Sequence, residues 1–349
     1  MTHKRYQRVL IDGNFGPGDF ANQAFAPDRT DPAYAGLRAF RDFFAQRGVQ
    51  MDTVDAVESA NGQYDYVIYS DYSWRQAQHD RFIARIPRDK RVLMLLEPPN
   101  VNPSMYFVPW WRNRFAKVFT WSGRLLARHP GYVCINVPAG VDLNCYREAP
   151  STALPFDQRK MLVAIHRNRW GYMPQSAFAL RARLFAFFDS HCPEEFDLYG
   201  GGWNAPAVFY QKWFGFHHFQ TYRGGFPYTF EAKIPVMGKY RFALCIENNP
   251  NEPGYISEKM LDCLCARCVP VYYGTPDVRE RIPEDCFIDF RKFRSLDELL
   301  RFLRAMDADR HRAYIEAADR FLQSEQAQFF TNEHLRQTVY AALYAEDFP

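Results

Sequence analysis

Short apolar runs alternate along this chain with stretches whose apolar residues recur every three to four positions. Runs of the first kind predict buried strands, and stretches of the second predict helices packed on them. Arg8 to Asp12 predicts an opening strand, followed by the Gly/Pro-rich loop GNFGPGDFANQAF. Pro32 to Arg47 has helical spacing and is stopped by Gly48. Tyr66 to Tyr69, Val92 to Leu96, Lys117 to Trp121 and Tyr132 to Val137 predict further strands, with a helix from Ser73 to Ile86. Such alternation predicts a parallel α/β layer.

The pattern breaks at Glu148 to Asp157 (EAPSTALPFD), which reads as a linker. A second α/β series starts with the strand Met161 to Ile165 and a helix from Ser176 to Phe188. The strand Phe196 to Tyr199 follows; later come a strand near Cys286 to Phe290 and a helix over Leu296 to Met306. Mixed charged and apolar residues from Ala308 to Glu346 predict closing helices. The expected division is 1–150, 151–325 and a helical 326–349. A chain of 349 residues fits two such cores. No internal repeat or low-complexity tract is present.

Tyr240 to Gly274 is the most informative segment. An apolar strand, Phe242 to Ile246, ends on Glu247 and Asn248, and a turn holding Pro250, Pro253 and Gly254 follows. Ser257 stands at an N-cap position, with Glu258 and Lys259 in the first helical turn. A helix N-terminus beside a lysine can hold phosphate through free N–H groups, dipole and ammonium charge. Cys268 to Tyr273 then predicts a second parallel strand, which makes the segment a phosphate-binding βαβ unit.

Three pieces of this segment resemble the nucleotide-sugar signature of the family 10 α1,3/α1,4-fucosyltransferases, in their bacterial form. They are Glu247-Asn248, Tyr255-Ile256-Ser257-Glu258-Lys259 and Val269-Pro270-Val271-Tyr272-Tyr273-Gly274. The resemblance implies an α/β protein of the GT-B class, two Rossmann-like domains facing a central cleft: an acceptor side in 1–150 and a GDP-sugar side in 151–325. Two departures stand out. Asn248 and Tyr255 lie one residue further apart than in familiar members, and Ile246 replaces an aromatic. Both fall at the loop expected to meet the sugar or base.

The same resemblance implies roles for individual residues. Glu97 ends the strand RVLMLLE, where open α/β sheets place ligands, and is the expected general base. The bland alternative is a carboxylate that caps a strand or pairs with an arginine. Arg181 is expected on the donor diphosphate, where a guanidinium can contact two oxygens, against a solvated helix arginine; Arg183 points elsewhere on the helix. Lys259 is expected to stabilise the departing diphosphate and Glu258 to accept from ribose hydroxyls, against an ordinary surface Glu-Lys pair. Asn248 and Tyr255 would line the donor pocket. Glu247, Tyr222, Arg223, Lys233 and Gly201 (in DLYGGGWN) are further donor-side candidates. Trp121 and Asn100 are acceptor-side candidates, with Tyr106, Trp110 and Trp111 as alternative stacking rings; aromatics in so Phe-rich a chain are more often core. His166, His217 and His218 read as structural, His166 being nearest a strand end.

Composition narrows these readings only a little. Hydrophobic residues make up 47% and aromatics 17%, enough for filled cores. A net charge of +3 without a Lys/Arg run does not call for nucleic acid. There is no signal-type N-terminus and no window of ~18 apolar residues, so the expectation is a cytoplasmic enzyme without a transmembrane segment, open to peripheral membrane contact. Eight cysteines, four of them in apolar runs, suit buried thiols. Cys263, Cys265 and Cys268 lack a second cluster that would complete a zinc site, so no metal is expected.

The resulting expectation is an inverting transfer of L-fucose from GDP-β-L-fucose to a glycan hydroxyl, α1,3 or α1,4. The acceptor would be an oligosaccharide or lipopolysaccharide containing N-acetylglucosamine. No cofactor is required, because Arg181, Lys259 and a helix N-terminus meet the leaving-group charge; Mn²⁺ stimulation is compatible with this. The alternatives are another GDP-deoxysugar donor, a catalytically silent sugar-nucleotide-binding protein, and a glycosidase, which would need two facing carboxyl groups.

Overall fold

The computed structural model describes residues 5–13, 17–29, 32–73, 81–137, 154–169, 176–206 and 217–345. They form two compact units, 1–140 joined by 332–349, and 141–331.

In the first unit, strands β1 (Arg8–Asp12), β2 (Gln50–Thr53), β3 (Tyr66–Ser70), β4 (Arg91–Leu95), β5 (Lys117–Thr120) and β6 (Val133–Cys134) make one sheet in the order β2-β1-β3-β4-β5-β6. Every pairing is parallel. Both faces are buried, as strand alternation requires. Val9, Ile11, Ile68, Val92 and Met94 join one core with Phe40 and Phe44 of α1 (Pro32–Ala45). Leu10, Val67, Tyr69, Leu93 and Leu95 join the core on the other face. Short helices α2 (Val57–Ala60), α3 (Pro103–Phe107), α4 (Pro109–Arg112) and α5 (Gly123–Arg128) complete the connections.

The second unit holds β7 (Lys160–Ile165), β8 (Phe196–Tyr199), β9 (Tyr240–Ile246), β10 (Val269–Tyr273) and β11 (Ile288–Asp289) in the parallel order β11-β10-β9-β7-β8. Its helices are α6 (Phe178–His191), α7 (Phe230–Met237), α8 (Glu258–Cys265), α9 (Leu296–Arg304) and α10 (Ala308–Gln323). Leu184, Phe185 and Phe188 of α6 and Leu299 and Leu303 of α9 are fully buried in its core, each burial contributing about 1.5–3 kcal/mol.

Several elements differ from the sequence reading. Helix α11 (Asn332–Tyr344) belongs to the first unit and not to a separate terminal piece. Its Leu335, Val339 and Leu343 pack with Phe43 and Phe44, a match that periodicity cannot assign to a partner. The units divide at 140/141 and 331/332, where the reading set 150/151 and 325/326; most of the expected linker lies outside the described residues. Of the helix expected over Ser73 to Ile86, positions 74–80 also lie outside them, and Ile83–Arg85 is a single 3-10 turn. Strand β2 and helix α7 were not anticipated. Gln and Asp dilute the apolar signal of QMDT, and Pro235 interrupts the helical pattern of FEAKIPVM.

Candidate functional site

In the second sheet, the chain leaves β7 toward β8 on one side and returns to β9 on the other. That reversal is where open α/β sheets bind ligands, beyond the C-terminal ends of the strands. His166 follows β7, and Glu247 and Asn248 follow β9. Gly200, after β8, lies so close to this point that a Cβ there would stand 2.0 Å from the His166 carbonyl oxygen; its φ of 120° also requires glycine.

Glu247 has no exposed surface. Its two carboxylate oxygens accept from the Ser257 N–H (2.8 Å) and the Ser257 hydroxyl (2.7 Å). The same hydroxyl accepts from Lys259 Nζ at 2.8 Å. Ser257 thus occupies the N-cap position of α8, as the sequence predicts, but its hydroxyl does not cap the helix. It couples Glu247 to Lys259, whose Nζ lies 3.5 Å from both Glu247 and Glu258. Glu247 therefore organises the helix start from below, and its buried carboxylate is not open to a ligand.

The charges around it are mutually adjusted. Burial would lower the Lys259 ammonium pKa, but Glu258 and Glu247 outweigh it and hold the group above its ordinary range. Burial would raise the Glu258 carboxyl, yet Lys259 and Lys233 pull it down to about 2. Solvent screens that attraction, since the Glu258 side chain is 35% exposed. Lys233 donates to Asp262 at 2.6 Å in a buried pair. Desolvation pushes the Asp262 carboxyl up to about 6, while Asp262 holds the Lys233 ammonium above its usual range, so both stay ionised at neutral pH.

Arg181 lies on the buried stripe of α6, where Phe178, Leu184, Phe185 and Phe188 are its apolar neighbours; Arg183 is exposed. Its Nη2 donates to the Ile246 carbonyl and to Asn248 Oδ1 (2.9 Å), binding the end of β9. Burial lowers its pKa to about 10, which leaves it charged. His166 donates from Nε2 to the Leu244 carbonyl (2.8 Å), which sets its tautomer. Burial first, then Arg181, keeps its pKa well below the usual range, so it is neutral.

Tyr255 is buried at 3% exposure between the turn and α8. The Gly201 N–H donates to the Tyr228 hydroxyl (3.2 Å). Tyr222 bridges to Leu198, and Arg223 donates to Asp197, which also binds Lys160 and Tyr240. Arg223 and Lys233 were expected near a donor; here each closes an ion pair inside the second unit, on Asp197 and Asp262 respectively. The signature residues Asn248, Glu258 and Lys259 do come together with Arg181. Asp262 and Ser257 were missed as partners, although their positions on one helix with Lys259 were readable.

In the first unit, Glu97 stands two residues past β4, next to the end of β3. Asp71 Oδ1 accepts from the Leu96 N–H (2.8 Å) and the Glu97 N–H (2.7 Å). The Tyr106 hydroxyl donates to the Glu97 carbonyl (2.9 Å), and Trp121 Nε1 donates to the Leu96 carbonyl (2.7 Å). Trp121 is 3% exposed. Its assignment as an acceptor-stacking ring is therefore corrected: the indole is committed to packing and to holding the turn that carries Glu97. Asn100 is half-buried in that turn, while Trp110 is exposed. Asp71 was not singled out in the sequence. Burial of its carboxyl raises the pKa to about 7, with the Glu97 charge adding to the rise and the two N–H bonds opposing it.

Among the described residues no group of three or more His, Cys, Asp or Glu side chains could hold a metal ion, and no helix is long and apolar enough to cross a membrane.

Two parallel-sheet α/β units, one with a cationic helix start at its switch point, define a protein of the GT-B fold class. Solved structures agree: an α1,3-fucosyltransferase with GDP superposes with a TM-score of 0.54 at 14% identity, covering 98% of this chain and 92% of that one. An α-glucosyltransferase in complex with UDP reaches 0.58 at 12% identity, covering 96% and 99%. Residues 213–336 match the model of glycosyltransferase family 10 (fucosyltransferase), C-terminal part. Among similar curated proteins, the α-(1,3)-fucosyltransferase of Helicobacter pylori is 27% identical over 26% of this chain and 18% of its own length. An α-(1,4)-fucosyltransferase of Arabidopsis thaliana is 36% identical over 21% and 18%. A GDP-fucose protein O-fucosyltransferase 3 of Bos taurus is 37% identical over 23% and 17%. The chain thus matches less than a fifth of the length of each of these relatives.

Proposed function

We propose that this protein transfers L-fucose from GDP-β-L-fucose to a hydroxyl of a glycan acceptor, with inversion at the anomeric carbon. The observation that supports this most is the start of α8, where Lys259 lies between Glu247 and Glu258 at the switch point of the second sheet. A diphosphate there would meet the Lys259 ammonium and the positive end of the helix dipole. The Glu258 carboxylate, ionised, is suited to accept from ribose hydroxyls. Arg181 and Asn248 hold the β9 end that frames the pocket, and the Arg181 charge adds to the positive field.

In the reaction, the acceptor oxygen attacks the anomeric carbon as its proton passes to the Glu97 carboxylate. The bond from that carbon to the β-phosphate oxygen breaks, and GDP leaves with the electron pair. Attack opposite the leaving group converts the β-linked donor into an α-fucoside. The similar proteins carry names that differ in linkage or acceptor, α-(1,3), α-(1,4) and protein O-, and share fucosyl transfer. An N-acetylglucosamine-containing acceptor such as lipopolysaccharide, a bacterial source and a cytoplasmic location belong to this proposal on the sequence resemblance alone. A different GDP-deoxysugar is the second reading, favoured by the altered loop between Asn248 and Tyr255.

Calorimetric titration with GDP-fucose, GDP-mannose and GDP, in chelator, tests the donor assignment on wild type and Lys259→Ala. Fucose-selective binding that weakens about 10–100-fold in the variant, the loss of one charge-assisted contact, supports it. Binding of GDP without sugar preference moves the reading to another GDP-sugar. No binding by wild type overturns it.

A further inference from the structure

We infer that Asp71 is a positioning residue for Glu97, setting the place of that carboxylate through the backbone of the turn that carries it; this rests on the reading of Glu97 as the base. The two residues are 26 apart in sequence, but parallel pairing of β3 with β4 brings the ends of their strands side by side. One oxygen, Asp71 Oδ1, accepts both N–H groups of the Leu96–Glu97 peptide pair, at 2.8 and 2.7 Å. Both donors lie just past the end of β4, beyond the last residues in its register with β3 and β5.

The clamp stands on a special backbone position. Asp71 has a φ of 51°, a left-handed conformation that side chains other than Gly, Asn and Asp seldom adopt. Its own N–H is tied to the Met94 carbonyl (2.8 Å), and its carbonyl accepts from Asn102 Nδ2 (3.2 Å). The side chain is thereby aimed under the turn from a fixed backbone. Opposite the clamp, the Tyr106 hydroxyl holds the Glu97 carbonyl. Glu97 is thus held at both sides of its own Cα by side chains from two other segments. A general base needs its oxygen within hydrogen-bond reach of the acceptor hydroxyl, about 2.6–3.2 Å, and rotation of this peptide would swing the carboxylate away.

Two substitutions separate the clamp from a merely structural contact. Asp71→Asn keeps an oxygen that accepts both N–H groups, and asparagine tolerates the left-handed backbone. Asp71→Gly keeps that backbone without strain and removes the acceptor. Hydrogen exchange at the Leu96 and Glu97 amides and GDP release from GDP-fucose, with N-acetyllactosamine or water as acceptor, are read on both. Affinity for GDP, a property of the second unit, serves as the control for folding. Asp71→Gly is expected to expose both amides and lower kcat by about 10²-fold with GDP affinity unchanged. Asp71→Asn is expected to restore amide protection and most of the turnover. Amides still protected in Asp71→Gly, or kcat within about twofold of wild type there, overturn the inference. Glu97→Gln distinguishes the two readings: a turnover equal to wild type removes Glu97 as base, whereas a dead Glu97→Gln beside an active Asp71→Gly removes only the positioning role.

Discussion

The two strand ends to which the proposed reaction assigns roles are built in opposite ways. In the second unit, Glu247, Ser257, Glu258 and Lys259 lie within thirteen positions of one another and are held by side-chain charge. Their anchors, Arg181 and the Lys233–Asp262 pair, are themselves buried ions. In the first unit, Glu97 is held by neutral and ionic groups acting on its backbone, contributed by Asp71, Tyr106 and Trp121. The diphosphate site proposed for the second unit needs preset charge, and burial of paired ions would supply it at a cost in desolvation. A base needs placement, which hydrogen bonds to its peptide supply, here from a carboxyl whose pKa is raised by burial and by the Glu97 charge.

The first way to break this contrast is Asp262→Ala. It strands the Lys233 ammonium in the core and should destabilise the second unit by about 3–5 kcal/mol in urea unfolding. A loss under about 1 kcal/mol would mean that solvent already relieves the pair. Next is Gly200→Ala, which sets a Cβ on the His166 carbonyl and should cost about 2–3 kcal/mol, with donor affinity falling as the end of β7 shifts.

Two buried groups, His311 in the second unit and Asp71 in the first, should also respond to pH with opposite sign. Burial lowers His311 to about 4 and holds His166 well below its ordinary value, so at these two groups the unfolded chain binds more protons below about pH 6.5; Asp262, raised to about 6, acts the other way in the same unit. The stability that His311 contributes is present above that pH and is lost as pH falls, by at most about 3 kcal/mol. In the first, the raised Asp71 means that the folded chain holds the extra proton, and stability is lost as pH rises from about 4 through about 7. Urea unfolding at pH 5 and 7.5 should show His311→Gln flattening the acid side and Asp71→Asn the neutral side; parallel slopes for both variants would refute the contrast. The smallest effect is expected from Trp121→Phe: about 1–2 kcal/mol from the orphaned Leu96 carbonyl. Unchanged stability with a raised acceptor KM would instead return Trp121 to an acceptor surface.

Much of the second unit was legible because its site is local. Strand, turn, helix start and strand follow one another from Tyr240 to Tyr273, so one reading frame contains Asn248, Glu258 and Lys259. The inward position of Arg181 was also readable in principle, since it shares the spacing of Phe178, Leu184 and Phe188. Asp71 was not. A lone acid after YVIYS carries no local signal, and its partner lies in another strand.

The order of strands and helices, the cores they bury and the cationic helix start are consequences of the sequence itself, because periodicity and neighbouring charge act over a few residues. Tertiary structure alone decided that Trp121 is a clamp and not a platform, that Glu247 and Lys233 are buried partners and not open contacts, and that α11 closes the first unit. Those outcomes depend on which strand ends meet, and parallel pairing brings together residues that the chain keeps tens of positions apart.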